Sequence, residues 1–383
     1  MFFYNFIPRT LYPDILNYIK ESEDKIDKVY VYIDIQNYSA AFTDAGIDLY
    51  VNGSTFSDLF NELLYNVSNI IKNLSDMNLK SHVFLYTDIN RNFFNSNIIR
   101  EWKEDRRKEL IEIEENEQNC LIRDANIYMN RFIKTGLKAI KNLVNITYNA
   151  TICILENIDS DFFPALVINK TKDKKNILHL IISNDHDYIH LIDKPNIVRY
   201  SRSYKKYENY PSLETVYNRA MFLKKQLDIS DSSIAKKITD YYQIFHALSG
   251  DPTDNIKPIK ARMSYKTWGK KVNFNGPVNQ VIDDLLDNKF KIEDIDNTLI
   301  LERLIIFDFN ITSKLILNIL DKKHDKILDF VENHYLVNKE ILVRNSKLFV
   351  DQVLNERYIL DDIDKVFNKF NINTTYIPYL WMK

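Results

Sequence analysis

Apolar residues in the first 200 positions gather into short runs separated by longer polar or helix-patterned stretches. Strands are expected at Val29–Ile35, Ser81–Thr87, Ile146–Leu155 and Ile177–Ser183, with a shorter run at Asn196–Tyr200. Between the first two, Phe56, Leu59, Phe60, Leu63, Leu64, Val67, Ile70, Ile71 and Leu74 recur at helical spacing, which predicts a helix from about Thr55 to Met77. Strands alternating with helices imply an α/β fold, a mainly parallel sheet flanked by helices. After Leu227 the pattern is helical to the end. IAKKITDYYQIFHAL reads as one helix leading into an SGDPTDN turn, and Gly276-Pro277 marks a break before helical sequence from Val278.

The segment between Ile89 and Leu143 stands apart. It is long, charged and helix-forming, with a basic portion REWKEDRRK followed by an acidic EIEENE. Connections of this length are usually functional. With 383 residues the chain has room for two domains. The expected division is a catalytic domain over 1–227, with a helical insert at about 89–143, and a helical region over 228–383.

Composition narrows the class. The chain is 45% hydrophobic and 27% charged, ordinary for a globular protein. Cys120 and Cys153 with no CxxC argue against a disulfide framework or a zinc site, and point to a reducing, cytoplasmic setting. No apolar run approaches the roughly 20 residues needed to span a bilayer. The start MFFYNFIPRTLYPD lacks the basic-then-apolar order of a signal peptide. A net charge of −2 does not advertise a nucleic-acid binder, so local charge is the better guide.

Local charge shows a pattern. Asp34 ends VYVYID, Asp88 ends HVFLYTD, Asp159 and Asp161 follow TICILENI, and Asp185 and Asp187 follow LHLIISN. Asp251 and Asp254 sit in ALSGDPTDN. Residues just past the carboxyl ends of parallel strands converge on one crevice. Carboxylates gathered there repel each other, and divalent cations with a taste for oxygen ligands relieve that repulsion. The residues alone therefore point to a metal-dependent site that handles phosphate. Beyond the acidic turn, Lys257, Lys260, Arg262, Lys266, Lys270 and Lys271 form a basic run with no acid among them. His186 lies between two of the acids and reads as an exposed or packed side chain.

In order along the chain, these motifs resemble the 5′-nuclease (flap endonuclease) superfamily, and within it the bacteriophage RNase H-type 5′→3′ exonucleases. VYVYIDIQN and FLYTDINRN look like its first two strands with their metal-binding acids. IREWKEDRRK is similar to a helix opening on an aromatic–Lys pair with an Arg three residues on. DSDFFPAL, ISNDHDYIHLI and ALSGDPTDNI resemble its three later acidic motifs, and RLIIFDFNI resembles a C-terminal helical segment of the phage members. The likeness covers residues 29 to 310.

The resemblance implies a PIN-like domain followed by a helical DNA-binding region of helix–turn–helix type. It implies two Mg²⁺ ions, replaceable by Mn²⁺, on Asp34, Asp88, Asp159, Asp161, Asp185, Asp187, Asp251 and Asp254. Lys103 and Arg106 match residues that contact the scissile phosphate. The basic run from Lys257 to Lys271 matches the duplex-binding region. The implied partners are double-stranded or branched DNA and RNA–DNA hybrid with a free 5′ end. A replication protein such as a single-strand-binding protein is a further candidate, and a monomer without membrane association is expected. Two departures stand out: Phe162 occupies a position usually acidic, and no glycine follows SGDPTDN before Gly269. Two other readings remain: a PIN-type ribonuclease acting on single strands, and a DNA-binding descendant weakened in catalysis.

Overall fold

A computed structural model describes residues 11–22, 24–35, 56–88, 98, 150–155, 159–171, 174–201, 213–286 and 297–321. The expected insert, with Lys103 and Arg106, lies outside the described residues except for Ile98. Six strands, β1 (Lys28–Asp34), β2 (Lys80–Asp88), β3 (Ala150–Leu155), β4 (Ile177–Ile182), β5 (Ile197–Tyr200) and β6 (Leu213–Glu214), form one sheet in the order β3-β2-β1-β4-β5-β6. Neighbours from β3 through β5 pair in parallel, and only the short β6 is antiparallel. The mainly parallel α/β sheet expected from the sequence is present. At two residues β6 is too short to leave a periodic signal, and it was not anticipated.

The described helices are α1 (Leu11–Glu21), α2 (Phe56–Asp76), α3 (Phe163–Thr171), α4 (Arg219–Gln226), α5 (Ser232–Asp240), α6 (Tyr242–Ser249), α7 (Tyr265–Lys271), α8 (Val278–Leu286), α9 (Asn297–Phe307) and α10 (Phe309–Asp321). None is long and apolar enough to cross a membrane. The single helix expected over 234–248 is two. Tyr241 leaves the helical region at φ −126° and ψ 34°, separating α5 from α6. The reason lies in burial. α5 is amphipathic, burying Ala235, Ile238 and Thr239, whereas every residue of α6 is buried. A helix enclosed on all sides need not continue the stripe of its predecessor.

Side chains alternate across a strand, so β1 and β2 present different faces. One carries Tyr32, Phe84 and Tyr86, whose rings pack on Phe163 of α3 at centroid separations of 6.1, 5.7 and 5.3 Å. The other carries Val31, Ile33, Val83 and Leu85, all buried. From the aromatic face one apolar core runs without interruption through α3 and α6 to Ile316 of α10. α10 packs along α3, where the Asn169 side-chain amide donates to Asn310 and Ser313.

Within this core sits His179 on β4. It is 1% exposed, and burial pushes its pKa down to about 3. The ring is satisfied while neutral: the Tyr32 hydroxyl donates to Nδ1 at 2.8 Å, and Nε2 faces Thr171 Oγ1 at 3.4 Å. A base whose folded pKa lies below its unfolded value binds more protons when unfolded, so its contribution is complete above pH ~6.5 and drains away as pH falls toward 3. Loss of about 2 kcal/mol is expected by pH 5. Thermal melts at pH 7.5 and 5 should show this drop, and His179→Gln should shrink it. An unchanged pH dependence in the variant would show that His179 is not the group titrating.

Candidate active site

The carboxyl ends of β3, β2, β1 and β4 lie side by side on one edge of the sheet. Asp34 closes β1, opposite Tyr86 in the register, and is 5% exposed. Asp88 closes β2, and its side chain is outside the described residues. The two Asp-x-Asp motifs after β3 and β4 use one local device. Asp159 Oδ1 accepts from the Asp161 amide at 3.2 Å, and Asp185 Oδ1 accepts from the Asp187 amide at 2.9 Å. Each first aspartate thereby caps a 3₁₀ turn, Ser160–Phe162 or His186–Leu191, and sets the second aspartate in that turn's opening residues. Short polar side chains that accept from a backbone N–H two residues on favour this turn. Ser183 reinforces it by accepting from the Asp185 amide at 3.0 Å.

Asp251 and Asp254 come from the loop after α6. Its glycine is obligatory. Gly250 has φ +70°, and a Cβ there would stand 2.4 Å from the Ile256 carbonyl oxygen and 2.5 Å from that of Lys257. The loop closes on itself through the Ile256 amide, which donates to the Asp251 carbonyl at 2.8 Å, and the Ile259 amide, which donates to that of Leu248 at 3.1 Å. Asp251 is 8% exposed and Asp254 half-buried.

These acids meet. Asp159, Asp161, Asp187 and Asp254 line one cleft together with Phe162, Ile306, Phe307, Phe309 and Thr312. Asp34, Asp161 and Asp185 surround a buried tyrosine pair, Tyr86 and Tyr188, whose hydroxyls are 2.7 Å apart. Burial and the nearby carboxylates hold both phenols well above their usual pKa, so they stay neutral donors. Tyr188 reaches Asp161 Oδ1 at 3.4 Å, and Tyr242 donates to Asp187 Oδ1 at 3.1 Å. Burial, and then the Asp187 carboxylate, raise the Asp185 pKa. Such a site favours a compensating cation. The donor set of carboxylate oxygens fits hard divalent ions of the Mg²⁺ and Mn²⁺ type.

Phe162, at the position where an acid was expected, is 3% exposed and forms apolar wall. The segment RLIIFDFNI supplies the opposite wall. Asp308 caps α10 by accepting from the Asn310 and Ile311 amides at 2.9 and 3.2 Å. His190 ties that wall to the acidic turn: its Nδ1 donates to the Asp187 carbonyl at 2.5 Å, while Nε2 accepts from the Phe309 amide at 3.2 Å. This pairing fixes a neutral tautomer, in keeping with burial lowering the His190 pKa.

Three contributors were not foreseen. Arg199 on β5 donates to the Asp185 carbonyl while pairing with the fully buried Glu214 at 2.5 Å. Tyr242 and His246, both on α6, face Asp187. Burial opposes charge on His246, yet Asp187 and Asp251 outweigh it and raise its pKa. The only sequence signal was proximity, since both precede Asp251 on a helix that is brought to the 185–187 turn by tertiary packing.

The basic run lies beyond the acidic loop. Lys257, Lys260, Arg262, Lys266, Lys270 and Lys271 are all exposed. Where glycines were expected, the turn uses Asn255 at φ 62° and Arg262 at φ 63°, left-handed conformations on non-glycine residues. The one glycine of the run, Gly269, serves packing: a Cβ there would lie 2.9 Å from Ile234 of α5.

The architecture is the PIN-like α/β fold, with helices after the sheet that return to wall its acidic edge. Solved structures similar in fold include proteins of bacteriophage T5. The T5 D15 protein co-crystallized with metal ions matches with TM-score 0.53 and 13% identity, over 85% of this chain and 99% of that one. The T5 5′-exonuclease with bound zinc ions matches with TM-score 0.52 and 15% identity, over 85% and 98%. The bacteriophage T5 D15 flap endonuclease, in a pseudo-enzyme-product complex with DNA and metal ions, matches with TM-score 0.51 and 12% identity, over 84% and 99%. The likeness is one of fold. No protein-family model matches the sequence, and no curated protein does.

Gly250→Ala should collapse the acidic loop, because its Cβ meets backbone that cannot move aside. A loss of about 3 kcal/mol is expected from the clash and the left-handed φ together. Denaturant titration checks it, and a loss below about 1 kcal/mol would mean that the loop relaxes freely.

Proposed function

We propose that this protein is a divalent-metal-dependent 5′-nuclease, a 5′→3′ exonuclease and flap endonuclease of phage-type DNA replication. One observation carries the reading: Asp159, Asp161, Asp187 and Asp254 share a cleft at the carboxyl edge of a sheet whose fold is that of the T5 5′-exonuclease. In this reading the metal ligands are Asp34, Asp88, Asp159, Asp161, Asp185, Asp187, Asp251 and Asp254. Two Mg²⁺ or Mn²⁺ ions about 4 Å apart would supply an activated water and charge stabilisation for an in-line displacement at phosphorus.

The chain's own residues do the rest. Tyr188 and Tyr242 orient Asp161 and Asp187 through hydrogen bonds from their hydroxyls. Lys103 and Arg106 would neutralise charge developing on the scissile phosphate. The exposed cations from Lys257 to Lys271 would grip duplex phosphates without reading bases. Residues 1–227, with the helical insert at about 89–143, would then hold the chemistry, and 228–383 the duplex. Substrates would be nicked or branched DNA and RNA–DNA hybrid with a free 5′ end, met by a monomer in the host cytoplasm alongside a partner such as a single-strand-binding protein.

Cleavage of a 5′-flap should stop in EDTA and return with Mg²⁺ or Mn²⁺. Asp185→Asn should lower turnover roughly a thousandfold while sparing DNA binding, since charge is lost only where the ions sit. Full turnover in EDTA, or near-normal turnover in the variant, refutes the site. Replacing Lys260, Arg262 and Lys266 together by Ala should weaken duplex binding and flatten the plot of log K against log salt by up to about 2.7 units. An unchanged slope would move duplex binding elsewhere on the surface.

A further inference from the structure

We propose that His246 joins Asp187 in a mixed nitrogen–oxygen cation site backed by Asp251, in which His246 supplies a ligand that favours Mn²⁺ over Mg²⁺. The proposal rests on reading the carboxylate edge as a metal centre. It adds a residue to that centre, and a metal preference.

One ligand atom from each of the three residues lies within 4.8 Å of the others. His246 is 1% exposed, and its Nδ1 is buried without a hydrogen-bond partner. That atom is aimed at the acids, 3.4 Å from Asp187 Oδ1. Two donors bound to one ion at about 2.1 Å stand about 3.0 Å apart in an octahedral shell and about 3.4 Å apart in a tetrahedral one. The observed separation is therefore one that two ligands of a single ion adopt. On the far side of the ring, Nε2 faces Asp251 Oδ2 at 3.7 Å. A carboxylate behind the second nitrogen favours the tautomer whose proton sits on that nitrogen and leaves the first nitrogen's lone pair free, the usual support of a metal-binding histidine.

The ring cannot turn away from this duty. It stacks on Phe307 at 4.0 Å between centroids and 18° between planes, and Tyr242 meets it edge-on at 5.4 Å. A ligand locked by its packing is prepared for binding. Its chemistry then selects the ion. Mg²⁺ prefers an all-oxygen shell with retained waters, whereas imidazole raises affinity for first-row transition ions. Among ions that carboxylates also accept, Mn²⁺ is the natural beneficiary.

The test uses Mn²⁺ itself on the full chain. Electron spin-echo spectra of bound Mn²⁺ should show nitrogen modulation that changes when the histidines carry ¹⁵N. The modulation should persist in His186→Gln, the half-exposed neighbour of Asp187, and vanish in His246→Gln. Calorimetric titration should show the ratio of Mn²⁺ to Mg²⁺ affinity falling about tenfold in His246→Gln. If His246→Gln fails to fold by circular dichroism, the ¹⁵N experiment on the wild-type chain and on His186→Gln still decides. Mn²⁺ bound without nitrogen modulation, or modulation lost in His186→Gln, overturns the proposal and leaves His246 as a charged bridge between two carboxylates. Absence of any Mn²⁺ binding instead overturns the metal-centre reading beneath it.

Discussion

Parallel strands end on the same edge, so acids placed after successive strands are driven toward one another. Everything around this edge serves to hold like charges together without letting them scatter. Backbone amides do part of the work, with Asp159 and Asp185 each spending an oxygen on the amide two residues ahead. Neutral phenols do more. Tyr86 and Tyr188 lie among three carboxylates, and burial keeps them from ionising. Polar hydrogens from these phenols, together with buried Arg199 and His246, therefore line the interior side of the site.

The helices after the sheet complete the same arrangement. α6 is enclosed on all sides, and from its end springs the loop bearing Asp251 and Asp254. Arg303 of α9 donates to the Ala247 carbonyl at 2.9 Å, which fastens α9 to the C-terminal turn of α6. Phe307 then stacks on His246, and Phe309 meets Tyr188 at 5.4 Å. The acidic cleft is thus bounded by aromatic side chains from two separated segments, Phe162 on one and Phe307 and Phe309 on the other.

Much of this was legible in the sequence where burial is one-dimensional. β1, β2, β4 and β5 lie within a residue or so of their expected limits because each is an apolar run stopped by an acid or a turn. α2 was readable because one face meets β2 and the spacing survives. The break at Tyr241 was not, since α6 is buried all round and carries no stripe to contradict the one before it. Six of the eight acids were singled out by their place after strands, and Asp251 and Asp254 by the SGDPTDN motif. Tyr242, His246 and Arg199 were not, because Tyr242 meets Asp187 across 55 positions and Arg199 meets Asp185 across 14, and no local pattern encodes either contact. Gly250 was visible as part of a motif, but the reason for it, two carbonyls filling the space that a Cβ would need, belongs to the folded loop.

The bond from the Phe309 amide to His190 spans 119 positions. Strands, acidic turns and the basic run all leave the ribosome before the segment that walls the cleft. At a synthesis rate of about 5–20 residues per second, several seconds separate the emergence of Asp187 from that of Phe309. During that interval the carboxylates stand on an edge without its aromatic cover, and His190 Nε2 has not met its donor. The nascent chain therefore carries its charged groups early and can complete the enclosure around them only once Phe309 has emerged.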